Sequence, residues 1–251
     1  MTTDRKVIFS IPFNNINLAN QYQLAATPEW INHRLDLFMH YTLSSLLKQT
    51  NQNFLALVYC NPDTLSYIHS ALKNYPSLPN HIIFIQPNQA TALIDHYMKD
   101  TKYLYEISLH SDDLYHRDFV DYIYHYQPLS ETKVLICQNG YMYHSPSNRL
   151  LPYFNFSCSF NCFIYVTADY LKGFRYPLVG SMSAILLPHE LLPDPWYINH
   201  AHDSNAAFSL SIELKRAQVE DIWSPHPRDR ALIGYEILDE SQKKKILSYY
   251  M

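Results

Sequence analysis

The chain has 251 residues, 47% of them hydrophobic and 17% charged, with a formal net charge of -4 at neutral pH. That length supports one substantial α/β core with C-terminal additions. The charge balance excludes the basic footprint of a nucleic-acid binder, because phosphate binding relies on clustered Lys and Arg.

The one dense basic run, Lys243 to Lys245, is read as a solvated helix face, with peripheral contact to a membrane surface or an anionic partner as the lesser reading. The opening "MTTDRKVIFSIPFN" mixes an acid with its bases and has only a short apolar run, so neither a signal peptide nor an anchor is expected. No stretch approaches the roughly 20 apolar residues of a spanning helix, and a cytoplasmic protein is the expectation. Cys60, Cys137, Cys158 and Cys162 are few and irregularly spaced. Cys158 and Cys162 lack the second pair that a zinc site needs, so buried thiols are expected.

In chain order, "KVIFSI" (6–11) is a β-rich run stopped by Pro12. Thr27 and Pro28 supply a cap and a first-turn proline for a helix over 29–48, where apolar residues recur at a helical period. "FLALVYC" (54–60) is a second strand closed by "NPD", followed by a helix through 64–74 and the strand "HIIFIQP" (81–87). A helix over 89–99 leads to the strand "YLYEISL" (103–109), and a further helix spans Arg117 to Tyr126. This alternation predicts a mainly parallel sheet flanked by helices.

The second half is less regular. Strands are expected within 133–144 and 153–167, a proline-bearing loop section through 173–195, a helix including 202–216 and a polar helix in the tail 236–250. A single domain, 1–251, is expected, with no repeat, low-complexity tract or linker to divide it.

Ligands of parallel sheets bind at the carboxyl ends of strands. Pro12 to Asn15, Asp63 and the pair Asp112–Asp113 all fall at such ends. Adjacent carboxylates repel unless a cation or a helix N-terminus offsets them. Either Ser111 or Asp112 caps the following helix, or the pair holds a hard divalent ion such as Mg²⁺ or Mn²⁺. The glycine count bears on the choice. There are only four, Gly140, Gly173, Gly180 and Gly234, too scattered for any glycine cradle around a phosphate. A nucleotide phosphate bound here needs another source of positive charge, and a metal between the acids and a pyrophosphate supplies it. The 22 Tyr and 12 Phe suit a core, and also stacking on sugar rings.

"HRLDLFMHYTLSSLLKQTNQNFLALVYCNPDT" (33–64) and "YLYEISLHSDDLYHRDFVDYI" (103–123) resemble two blocks of the putative rhamnosyltransferase family. "WYINHAHDSNAAFS" (196–209) is weakly similar to its C-terminal H-x-x-N region. The resemblance implies a GT-A-like fold and a metal-dependent enzyme that moves a sugar from a UDP- or dTDP-sugar to a saccharide or glycoconjugate hydroxyl, in surface polysaccharide or glycoconjugate synthesis. It implies a donor-binding half (1–126), with Pro12, Asn14, Arg34, Asp63, His110, Ser111 and Asp112 near the donor, and an acceptor-binding half (127–251). Asp113, Asp112 and His202 are the implied metal ligands. His110 departs from the pattern, standing where the family usually has an acid.

His200 and His202 are two apart, and on a helix only one of them would face the crevice. An inverting transferase needs a carboxylate base, for which Glu190 and Asp194 are the candidates, with Asp203 behind them. Trp196 and Tyr197 are either an acceptor platform or core. A glycoside hydrolase would need flanking rather than adjacent carboxylates, and a phosphatase with an Asp on its first strand is excluded by "KVIFSIP". A non-catalytic carbohydrate-binding descendant of a transferase is the alternative.

Overall fold

The computed structural model describes residues 4–14, 24–156, 158–202 and 231–251. In the first half the strands are β1 (Arg5–Pro12), β2 (Phe54–Tyr59), β3 (Ile82–Ile85), β4 (Tyr103–Ser108) and β5 (Leu114–Tyr115). Between and after them lie α1 (Pro28–Leu37), α2 (Leu43–Leu47), α3 (Leu65–Ala71), α4 (Pro87–Tyr97) and α5 (Phe119–His125). The second half carries β6 (Val134–Cys137), β7 (Asn139–His144), β8 (Arg149–Asn155), β9 (Asn161–Val166), α6 (Thr167–Leu171), β10 (His189–Leu192), β11 (Tyr197–Ala201), β12 (Ala231–Ile233) and α7 (Glu240–Leu247).

Among the described residues there are two sheets. The larger runs β10-β6-β9-β4-β1-β2-β3, and every neighbouring pair is parallel except those made by β9. The smaller runs β12-β8-β7-β11-β5. Val7, Ile8, Phe9 and Ile11 of β1 are all buried, as are Phe54 to Val58 of β2. That is why both strands read as continuous apolar runs rather than alternating ones.

The first helix is capped as its sequence predicts, with Trp30 N donating to the Thr27 hydroxyl at 3.3 Å and Pro28 in the first turn. It does not run on as one regular helix to residue 48. A π-helical turn, Phe38–Thr42, joins α1 to α2, and Leu43 N reaches back to the Phe38 carbonyl.

The two long apolar segments of the second half each divide between the sheets. Residues 134–137 pair in the large sheet and 139–144 in the small one; 149–155 belong to the small sheet and 161–166 to the large. Gln138 marks the first change of sheet, accepting from Asn155 N and donating to the Phe156 carbonyl at 2.8 Å. The proline-bearing section, expected as loop, holds the edge strand β10. The expected helix over 202–216 lies outside the described residues, apart from His202.

One surface expectation is corrected. Lys243 is buried, not solvated, with Nζ donating to the Asn148 carbonyl at 2.8 Å and to Glu240 at 2.7 Å. Trp196 and Tyr197 are core residues rather than a stacking platform: Tyr197 stacks on Phe160 at 3.7 Å, and Trp196 packs on Tyr122 at 4.4 Å. All four cysteines are buried free thiols. No helix among the described residues is long and apolar enough to cross a membrane.

Candidate active site

The chain leaves the large sheet at the end of β4 and enters the small one at β5, and residues 109–113 make the crossing. The next helix starts at Phe119, behind Asp118, so neither Ser111 nor Asp112 is a helix cap. The crossing sits where strand order reverses, between β1, which continues into β2, and β4 on its other side. Open parallel sheets form their ligand crevices at such points.

Asp112 and Asp113 are both buried and face different partners. Asp112 Oδ2 accepts from Arg34 Nη1 at 2.9 Å and pairs with His202 Nε2 at 3.0 Å. Burial opposes ionisation of Asp112, but the Arg34 guanidinium and the His202 bond overcome it and hold the carboxyl well below the usual range. Asp113 Oδ1 accepts from the backbone N–H of His200 at 2.9 Å, and its Oδ2 pairs with His110 Nδ1 at 2.8 Å. Burial pushes Asp113 upward, aided by the Asp112 charge and resisted by His110.

Arg34 comes from α1 and also donates to Ser111 Oγ at 2.6 Å. Its Nε is buried and has no acceptor among the described residues. A buried N–H without an acceptor is costly, and an anionic oxygen entering the crevice would supply one.

His200 and His202 come from β11 and the residue just past it, not from a helix. On a strand, residues two apart share a face, so both imidazoles reach the acidic pair. His200 Nδ1 is 3.1 Å from the Asp112 carbonyl and its Nε2 is 2.9 Å from Ser145 Oγ, while Tyr41 lies over the ring at 3.8 Å. Burial first, then His202, push the His200 imidazole down to about 4. It is neutral at pH 7, donating to the Asp112 carbonyl and accepting from Ser145. Thr42, Tyr41 and Ser145 were not singled out from sequence. The alternation of "YINHAH" as a strand is the signal that brings His200 in with His202.

The structure thus gathers Arg34, His110, Ser111, Asp112, Asp113 and His202 in one cluster. The other expected donor residues line the neighbouring strand ends. Pro12 closes β1, and Asn14 is buried as a tie, donating to Ala25 and Thr64 and accepting from Asn61 N at 2.8 Å. Asp63 is exposed in the turn after β2.

Glu190 is not in the cluster. Its carboxylate accepts from Thr132 Oγ1 at 2.5 Å, Tyr126 OH at 2.8 Å and Leu129 N at 2.9 Å. Those partners precede β6, at the amino end of a strand parallel to β4, opposite the crevice. Glu190 fastens the 126–132 connection and is not placed to act as a base. Asp194 is exposed beyond the carboxyl end of β10 and bears on His116 and Tyr122. Asp203 lies outside the described residues.

As for a metal, the described residues contain no group of three or more His, Cys, Asp and Glu side chains arranged to hold an ion. Asp113, expected as a ligand, has both oxygens engaged. Asp112 and His202 present an oxygen and a nitrogen to each other. Mg²⁺ and its like need only one or two protein ligands when a diphosphate supplies the rest. The donor set therefore fits a cation shared with a diphosphate, held by two side chains rather than three.

A mainly parallel sheet, with an acidic pair at the carboxyl end of a central strand, carries this site, and the chain is a glycosyltransferase. Residues 10–133 match the family model described as "Putative rhamnosyl transferase", and over that stretch, just under half of its length, the chain is similar to this family. The match takes in Arg34, Asp63 and the acidic pair and ends before β6, so the histidines of β11 lie outside it. No curated protein matches the chain.

Among solved structures, the chain is similar to residues 1–349 of S. aureus TarS in complex with UDP, at 14% identity and a TM-score of 0.39, covering 96% of this chain and 69% of that one. A structure titled as S. aureus TarS without a residue range gives 15% identity and a TM-score of 0.36, over 96% of this chain and 42% of that one. A putative nucleotide-diphospho-sugar transferase from Desulfovibrio desulfuricans G20 gives 10% identity and a TM-score of 0.35, covering 89% and 91%.

Proposed function

We propose that this chain is a metal-dependent, inverting glycosyltransferase. It moves a sugar from a nucleoside diphosphate donor to a hydroxyl of a saccharide or glycoconjugate, in the cytoplasm and in the service of surface polysaccharide synthesis. Rhamnose is the sugar suggested by the family's name. The observation that carries the reading is the Asp112–His202 pair beside Arg34. A carboxylate and an imidazole meet at 3.0 Å, next to a guanidinium N–H that lacks an acceptor among the described residues.

In this reading Asp112 and His202 hold the divalent cation. Bound there, the ion supplies positive charge against the charge that develops on the departing diphosphate. Arg34 binds the same diphosphate through its Nε–H, and its charge keeps Asp112 ionised and ready to bind. The neutral His200 fixes the crossing by holding the Asp112 carbonyl and gives up its own amide to Asp113. The first half binds the donor and the second half receives the acceptor. Asp194, exposed at a strand's carboxyl end, is the carboxylate left to take the acceptor proton.

Calorimetric titration with UDP, the nucleotide of the TarS complex, and with dTDP tests the reading, each with and without Mn²⁺. The expected result is Mn²⁺-dependent binding of one of them, lost in Asp112→Ala and in His202→Ala. Binding of neither nucleotide, or binding indifferent to the metal and to both variants, would overturn it.

A further inference from the structure

His110 stands where the similar family usually has an acid, and its surroundings give it a task. Its Nδ1 is committed to Asp113 Oδ2 at 2.8 Å. The other Asp113 oxygen is committed to His200 N at 2.9 Å, so the carboxylate cannot swing away. The backbone is held as firmly. Asp113 N closes a turn on the His110 carbonyl at 3.2 Å, and Thr42 Oγ1 bonds the Asp113 carbonyl at 2.9 Å. The Asp113 side chain is 5% exposed, while that of His110 is 50% exposed. A buried, doubly fixed carboxylate thus grips one end of a half-open imidazole. Nε2, at the ring's other end, has no partner among the described residues.

An aspartate in this position sets the ring's orientation and keeps a proton on Nδ1. The group aimed outward is one residue away from Ser111 and two from Asp112, on the same crossing. Building on the nucleotide-sugar reading above, we propose that Asp113 is a positioning residue rather than a metal ligand, and that the His110 Nε2 it orients accepts a hydrogen bond from a hydroxyl or N–H of the donor's nucleoside. The chain would in this way have replaced a negative donor contact by an imidazole and left the acid one shell back, as its holder.

Two-bond ¹H–¹⁵N correlation spectra of the histidine rings test this on the full chain, with UDP and dTDP as probes and Mg²⁺ as the ion. In the free protein the His110 Nδ1 should carry the proton, and on nucleotide addition its Nε2 resonance should move. Asp113→Asn keeps an acceptor for His200 N and turns an NH₂ toward the ring, so the proton should transfer to Nε2. Nucleotide affinity should fall about five-fold in His110→Ala, as expected for one lost hydrogen bond between uncharged groups. Asp113→Asn should fall similarly, and the double variant no further than His110→Ala alone.

If wild type binds nucleotide and His110→Ala binds it equally well, the inference has failed while the nucleotide reading stands. If Asp113→Asn loses further affinity in the His110→Ala background, Asp113 acts directly and is not a positioning residue. If neither UDP nor dTDP binds the wild type, the nucleotide reading itself has failed and the contact falls with it.

Discussion

Arg34→Met removes the only arginine at the acidic pair among the described residues, while keeping an unbranched stem in its place. Arg34 and Asp112 are 13% and 11% exposed along their side chains, so water can do little to replace the lost partner. Removing one member of a buried pair costs about 3–5 kcal/mol. His202 still pairs with Asp112 after the change, which points to the lower end, about 3 kcal/mol. The loss should depend on pH in a definite direction. In the wild type the folded Asp112 carboxyl lies below its unfolded value, so the stability it contributes is fully present above the usual carboxylate range of about 4 and is lost as pH falls. In the variant, burial acts without the guanidinium, and the folded carboxyl rises. The deficit is then largest near pH 7.5 and narrows toward acid, as Asp112 takes up a proton in the variant before it does so in the wild type. Urea denaturation followed by circular dichroism at pH 7.5 and at pH 4.5 measures both quantities. A deficit below about 1 kcal/mol at pH 7.5, or one that widens toward acid, would refute this account of the pair.

Glu190→Gln should lower the melting temperature by a few degrees, since about 1 kcal/mol corresponds to roughly 2–4 °C at this size. It should leave nucleotide affinity unchanged, and a calorimetric loss of UDP binding would place Glu190 back in the site. Gly140→Ala sets a Cβ 2.6 Å from the Tyr197 carbonyl and 2.7 Å from its ring, a backbone clash between two paired strands. The expected cost is about 1–3 kcal/mol, and a variant melting with the wild type would contradict it.

The first four strands and their helices were legible because each is buried on both faces or carries a long periodic run, and prolines mark their ends. The acidic pair was legible for a related reason: two like charges after a buried strand must meet something. What they meet was not. Their partners Arg34 and His202 lie 78 and 90 positions from Asp112, and only the sheet order brings them together. Segments 133–144 and 153–167 each read as one apolar strand, because changing sheets at Gln138 alters the partner and not the local composition. "NHAH" does not read as a strand because its alternation is short and its polar histidines face a buried cluster rather than water. The lysine run looked uniform; that Lys243 alone finds the Asn148 carbonyl depends on where the β7–β8 turn ends.

The π-helical turn at Phe38–Thr42 has a consequence for how this chain can vary in length. Upstream of it stands Arg34, downstream Thr42, and both must address the same crossing, one at Asp112 and Ser111 and the other at the Asp113 carbonyl. Each residue added to or taken from a regular helix turns everything beyond it by about 100°. Losing one residue between these anchors would therefore swing the guanidinium out of phase with the threonine without disturbing either side chain's chemistry. Most surface helices absorb an insertion at one end. This one is indexed at two points, so a change of length among its relatives should be matched by a compensating change between residues 34 and 42, or by a different cation at the acidic pair.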